Sequence, residues 1–228
     1  MLVTGATGAL GGSVVARFVA AGRAVLAVGR DEDALAELAR SAPGGMVTVH
    51  AADLAVPDEV AALFDAAEAD GGTPPAVAHL AGGFRYGKLA DLSDDDWRFL
   101  QRANVETTFR VLAETARRFA AAGGGSFVAV SAPAATRGAP GIGGYAAAKA
   151  AVLRLVESAA REWAAFGGRA NAVLPGTMDT PANRAAMPDA DPGAWVSTEA
   201  VAEVIHYLTT DAARGVNGAA VRVTGPAG

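Results

Sequence analysis

The amino-acid sequence predicts an α/β fold: a doubly wound parallel sheet with helices on both faces. Three observations carry that expectation. Short apolar segments alternate, from Leu2 to Val223, with longer ones whose apolar residues recur at helical spacing. The first apolar segment leads into a glycine turn, Thr4-Gly5-Ala6-Thr7-Gly8-Ala9-Leu10-Gly11, and then a helix, the context of a Rossmann-type phosphate site. No internal repeat or linker interrupts the alternation, so residues 1–228 read as a single domain.

The elements follow in order. Leu2 and Val3 begin a strand. Val14, Val15, Phe18 and Val19 mark the first helix, which Gly22 ends. Ala24–Val28 reads as a strand, Asp31–Arg40 as a helix, and Met46–His50 as a strand leading to Asp53. Pro57–Ala69 is helical, with Pro57 near its first turn and Asp58 and Glu59 beside it. Ala76–Leu80 is the next buried strand. Ser93 caps a helix whose first turn holds Asp94, Asp95 and Asp96, and Gly123-Gly124-Gly125 stops it after Ala122. Phe127–Val130 is a strand, Tyr145–Phe166 a long helix, and Ala170–Leu174 a strand. Residues 175–197 form a loop rich in Pro and Asp, followed by helix Glu199–Leu208 and strand Ala219–Val223. Continuous apolar strands suit a sheet covered on both faces.

Composition narrows the function classes. With 51% hydrophobic and 19% charged residues, the chain has the makings of a packed core. A net charge of −5 without a basic stripe argues against nucleic acid or an anionic membrane as partner. Without cysteine there is no disulfide, thiolate nucleophile or cysteine metal site. His50, His79 and His206 lack metal-ligand spacing and read as packing or surface residues. The amino terminus has no basic segment before its apolar stretch, and glycines interrupt that stretch, so the expectation is a cytoplasmic protein without a signal peptide.

Ligands of such sheets sit at the carboxyl ends of the strands, near the point where strand order reverses. The glycine turn opens there, where glycine lets the backbone approach an anion and the helix N-terminus adds unpaired donors. A nicotinamide dinucleotide would place its pyrophosphate on Gly5, Thr7, Gly8, Ala9, Leu10 and Gly11. The second strand ends Val28-Gly29-Arg30, and Arg30 favours NADP(H) over NAD(H) by forking onto a 2′-phosphate. Asp31 stands as a competing ribose acceptor if the turn is rotated. Asp53 and Leu54 either meet the adenine or cap a turn. Ala81 and Gly82 allow close approach to a ribose, and Pro175, Gly176, Thr177 and Thr180 face the pyrophosphate or carboxamide.

Tyr145 and Lys149, four residues apart on one helix, share a face. The ammonium is expected to lower the phenol's pKa and ready it for proton transfer.

These features resemble the short-chain dehydrogenase/reductase family over nearly the whole chain. The resemblance implies hydride transfer between a nicotinamide cofactor and a small substrate. It makes Tyr145 and Lys149 catalytic, lets Lys149 hold the nicotinamide ribose, and gives Asn104 a water in a proton relay to Lys149. It also implies a homodimer or homotetramer packed through helices 95–122 and 145–166. Two positions depart from the pattern. Leu80 stands where the family has Asn, and Ala132, thirteen residues before Tyr145, stands where it has a catalytic Ser. Ser131 points to the other strand face and serves only if the backbone bends.

Within the family the chain is most similar to the dihydropteridine reductases. They share Gly8-Ala9-Leu10-Gly11, Ala81-Gly82-Gly83-Phe84, Asp179-Thr180-Pro181, Met187-Pro188 and Trp195. That similarity implies a C=N substrate, with Phe84, Ala132, Met187 and Trp195 at the substrate and a covering loop over about 177–197. A carbonyl or quinone reductase and a non-enzymatic dinucleotide sensor remain alternatives. No metal is expected.

Overall fold

The computed structural model describes residues 1–225, so the last three residues of the expected 1–228 span lie outside the described residues. Seven strands form one sheet: β1 Leu2–Thr4, β2 Val25–Gly29, β3 Val47–Ala51, β4 Ala76–His79, β5 Gly125–Val130, β6 Gly168–Pro175 and β7 Ala220–Val223. Every pairing is parallel, in the order β3-β2-β1-β4-β5-β6-β7. The direction of winding reverses between β1 and β4, which makes that crevice the expected ligand position.

The pleat divides the core. Leu2, Val77 and Phe127 face one layer, whereas their neighbours Val3, Ala78 and Val128 face the other. Three helices cover the first layer: α3 Pro57–Gly71, α5 Thr107–Ala122 and α6 Gly143–Trp163. Three cover the second: α1 Ala9–Ala20, α2 Glu32–Ser41 and α8 Thr198–Leu208. Trp163 anchors the first layer, edge-on to Phe119 at 5.7 Å and to Phe127 at 6.0 Å. Truncating so large a buried aromatic costs about 3–5 kcal/mol.

Two segments differ from the sequence expectation. The helix expected over 95–122 is three pieces: α4 Asp94–Leu100, a π-helical turn Gln101–Glu106, and α5. The hydroxyls of Thr107 and Thr108 donate to the carbonyls of Ala103 and Asn104, back-bonding across the widened turn. The expected loop 175–197 contains a short helix, α7 Pro181–Ala186, and a 3₁₀ turn Pro192–Ala194. Thr180 caps α7 and Pro181 starts it, enough for six residues that lack an apolar repeat. Ser93 caps α4 as expected, accepting from the Asp96 N–H. Among the described residues no helix is long and apolar enough to cross a membrane.

Candidate active site

The glycine turn opens at the carboxyl end of β1. Gly5 has φ +66°, and a Cβ there would stand 2.8 Å from the Ala81 backbone nitrogen. A side chain would therefore push this turn off the end of β4. Helix α1 follows with Gly8 as N-cap, no side-chain cap and no acid in its first turn. Helices α2, α3, α4 and α8 all place carboxylates in theirs. At α1 the first N–H groups and the positive end of the helix stay open to an outside anion, unlike at α2, α4 and α8, where side chains cap the first turn.

Beside the turn lies a cavity of about 450 Å³. It collects Gly5, Thr7, Gly8, Arg30, Asp53, Leu54, Ala81 and Gly82 from the expected cofactor set. Ala9, Leu10 and Gly11 form the first turn of α1, with the last two buried. Arg30 is exposed at the rim. Asp31 caps α2 through one carboxylate oxygen, which accepts from the Ala34 N–H at 3.0 Å, and it does not line the cavity. Asp53 caps a turn, one carboxylate oxygen accepting from the Ala55 N–H, and the residue also lines the cavity. Its other oxygen accepts from Arg102 at 2.8 Å. The Ala55 N–H first, and Arg102 and Arg30 after it, hold this carboxyl below its ordinary value.

Arg102, Phe99, Ala103 and Thr107 also line the cavity. None was expected there. Arg102 lies 49 residues from Asp53, and nothing in the sequence spacing joins them. The signal that exists is Asn104 followed by Thr107 and Thr108, hydroxyls spaced to bond back onto a distorted helix.

Gly82 lines the cavity, whereas Tyr145 and Lys149 stand beyond it and do not. A Cβ on Gly82 would stand 2.8 Å from Asn104 Oδ1 and 3.1 Å from Lys149 Nζ. Asn104 is buried in the π-helical turn. Its Nδ2 donates to the carbonyls of Gly83 and Leu100, and its Oδ1 accepts from the Gly83 N–H. In this structure it clamps the Gly82–Gly83 backbone. Phe84 follows, its ring edge-on to Tyr145 at 5.0 Å between centroids.

Tyr145 and Lys149 share a face of α6, as expected, but the phenol's pKa moves in the opposite direction to the one expected, because of burial. Burial pushes the Tyr145 phenol up to about 12 and the Lys149 ammonium down to about 8. Both shifts have one cause: removal from water disfavours whichever form is charged. Lys149 Nζ lies 5.8 Å from the Tyr145 ring centroid and donates to the Val130 carbonyl at 3.0 Å. Tyr145 is therefore a firmly protonated donor rather than an acidified one.

The Ser131 alternative falls. Its hydroxyl is buried and donates to the Lys149 backbone carbonyl at 2.9 Å, so it faces α6. Ala132 is extended, with no backbone bend to bring Ser131 round. His79 is a packing residue, buried between the hydroxyls of Thr4 and Thr108. Burial, then the Lys149 charge, pushes it down to about 3, so it is neutral.

The segment after β6 lies apart from the cavity lining. Gly176 donates to Val223, and the Thr177 carbonyl accepts from Val196. The Thr180 hydroxyl oxygen accepts from the Asn183 N–H, so the expected pyrophosphate contact is limited to its hydrogen. Pro175 ends β6 beside β7. Met187 is partly exposed just after α7, and Trp195 is half-buried. The structure brings neither into the cavity. Among the described residues no group of His, Asp and Glu could hold a metal ion.

Comparison with known proteins agrees with this geometry. The family model described as enoyl-(acyl carrier protein) reductase matches residues 5–225. A (3R)-3-hydroxyacyl-CoA dehydrogenase from Canis lupus familiaris is 31% identical over 243 residues, 98% of this chain and 94% of that protein. A short-chain type dehydrogenase/reductase from Mycobacterium ulcerans superposes with a TM-score of 0.92 at 34% identity, covering 97% of this chain and 86% of that one. The NADP-bound structure of ElxO shares the fold, with a TM-score of 0.91 at 20% identity over 99% of this chain and 97% of its own. Matched by that family model over residues 5–225 and by relatives more than 30% identical over nearly its whole length, the chain belongs to the short-chain dehydrogenase/reductase family of oxidoreductases.

Proposed function

We propose that this protein reduces a small molecule at a carbonyl or imine carbon, with Tyr145 as proton donor and NADP(H) favoured over NAD(H). The observation that carries this proposal is the position of Tyr145 and Lys149, packed against Gly82 and Phe84 where the nucleotide cavity ends. The residues suit a dinucleotide. Gly82 leaves room that a Cβ would fill, and α1 offers uncapped donors. When bound, a nicotinamide cofactor supplies the hydride.

The chain's own residues handle the proton and the geometry. Tyr145, with its pKa at about 12, keeps its hydrogen through neutral pH and can donate it to a substrate oxygen or nitrogen. The nearby Lys149 ammonium offsets the charge left on the phenolate and is the reserve from which the proton is restored. Asn104 holds Gly83 by both its N–H and its carbonyl, fixing the Gly82–Phe84 segment against the phenol. Arg30 supports the NADP(H) preference, since it lines the cavity while Asp31 is committed to capping α2.

A carbonyl substrate is supported by the hydroxyacyl-CoA dehydrogenase relative. A C=N substrate of the dihydropterin kind is supported by Ala132, which offers no hydroxyl to a carbonyl oxygen, and by the Asp179-Thr180-Pro181 and Met187-Pro188 motifs. Phe84, Met187 and Trp195 would border either one. A cytoplasmic dimer or tetramer belongs to the same proposal, supported by Phe109 exposed on α5.

The test is cofactor oxidation by the purified protein with a panel of 3-oxoacyl thioesters, ketones, quinones and quinonoid dihydropterin. Turnover of one class with NADPH, exceeding that with NADH, is expected. Failure of both cofactors to bind sinks the proposal, and binding without turnover of any class favours a dinucleotide sensor.

A further inference from the structure

Two arginines and one carboxylate are the charged side chains lining the cavity, among the described residues: Arg30, Arg102 and Asp53. They come from three separate elements, the end of β2, the π-helical turn and the end of β3. We propose that Arg102 is a second cation for the 2′-phosphate of bound adenosine, held in position by Asp53, so that Arg30 and Arg102 together set the cofactor preference. This rests on the NADP(H) reading of the same cavity.

Four observations support it. Arg102 and Asp53 are paired at 2.8 Å but remain 54% and 35% exposed, so the pair sits at a mouth and not in a seal. An ion pair so exposed is weak and exchanges partners at little cost. The Asp53 contact uses one of the five guanidinium N–H donors of Arg102, and the others suit a forked grip on phosphate. Asp53 also feels Arg30, so one carboxylate lies within the field of both cations. In that cluster Asp53 offsets one of the two positive charges. A phosphate monoester carries nearly two negative charges at neutral pH, more than a single arginine balances. The π-helical turn carries Arg102, and from there its side chain reaches Asp53 just past the end of β3.

Calorimetric titration with NADPH and NADH, and with adenosine 2′,5′-bisphosphate against adenosine 5′-monophosphate, tests this on the folded protein and its variants. Arg102→Ala is expected to weaken the 2′-phosphorylated ligands about tenfold and the others less than about twofold. Arg102→Lys should recover part of that loss. Equal weakening of all four ligands by Arg102→Ala, or no weakening, overturns the proposal. If Arg30→Ala removes the preference while Arg102→Ala leaves it, Arg102 alone is misassigned. If the unmodified protein shows no preference for the 2′-phosphate, the NADP(H) reading itself fails.

Discussion

Arg30, Asp53 and Arg102 line the outer end of the cleft within reach of water, whereas Tyr145 and Lys149, at the inner end beyond Gly82 and outside the cavity lining, are largely withdrawn from it. At the outer end charges answer charges, across a 2.8 Å pair that solvent and salt screen. At the inner end no carboxylate answers Lys149, and burial alone displaces both titrations. Binding energy at the outer end is spread over several groups and should respond to substitution in graded steps. Proton transfer as proposed depends on one phenol and one ammonium, and should respond abruptly.

The largest break in that contrast is expected from Tyr145→Phe. Turnover should fall at least a hundredfold, about the lower range for a lost general acid, while cofactor dissociation constants stay within about twofold. A variant retaining a tenth of the turnover would show that the proton comes from elsewhere. Gly82→Ala comes next, because its methyl group would crowd Asn104 Oδ1 at 2.8 Å and Lys149 Nζ at 3.1 Å. A roughly tenfold loss in kcat is expected, measured beside the melting temperature to separate misplacement from unfolding.

A pH titration sharpens the inner end. Lys149 loses its proton near pH 8 in the folded chain against an ordinary value of 10.5, so the reduction rate should decline as pH rises through about 8. Stability runs the other way. Between about 8 and 10.5 the unfolded chain binds the proton that the folded chain has released, so this residue's contribution to stability rises with pH across that window. Both trends should vanish in Lys149→Met, followed by rate and by thermal melting. The smallest effect belongs to Asp31→Ala. Loss of the α2 cap should cost about 1 kcal/mol and a few degrees of melting temperature, with cofactor preference untouched. A changed preference would return Asp31 to the ribose.

Much of the fold was legible because each strand is a short, continuous apolar run and both sheet faces are covered. Observed strands such as Val25–Gly29 and Val47–Ala51 begin one residue after the positions expected. The π-helical turn was not legible, since shifting a few backbone hydrogen bonds leaves the apolar pattern nearly intact. Helix α7 was hidden by its length and by its proline and aspartate neighbours. At the site, Tyr145 and Lys149 were legible because both lie on one helix, where spacing gives direction. The direction of the phenol's pKa was not. Spacing tells which side chains share a face, not how deeply they are buried or that Lys149 would turn to the Val130 carbonyl. The Asp53–Arg102 pair escaped because its partners meet only through the tertiary fold.

The bonds between β5 and α6 run in both directions. Ser131 reaches from the strand's end to the helix backbone, and Lys149 reaches from the helix to the carbonyl of Val130. Such a double stitch moors the proton-handling helix to the sheet as one rigid body. If substrate entry needs a motion, the exposed stretch around Phe84 is then expected to move before α6 does, leaving Tyr145 in place.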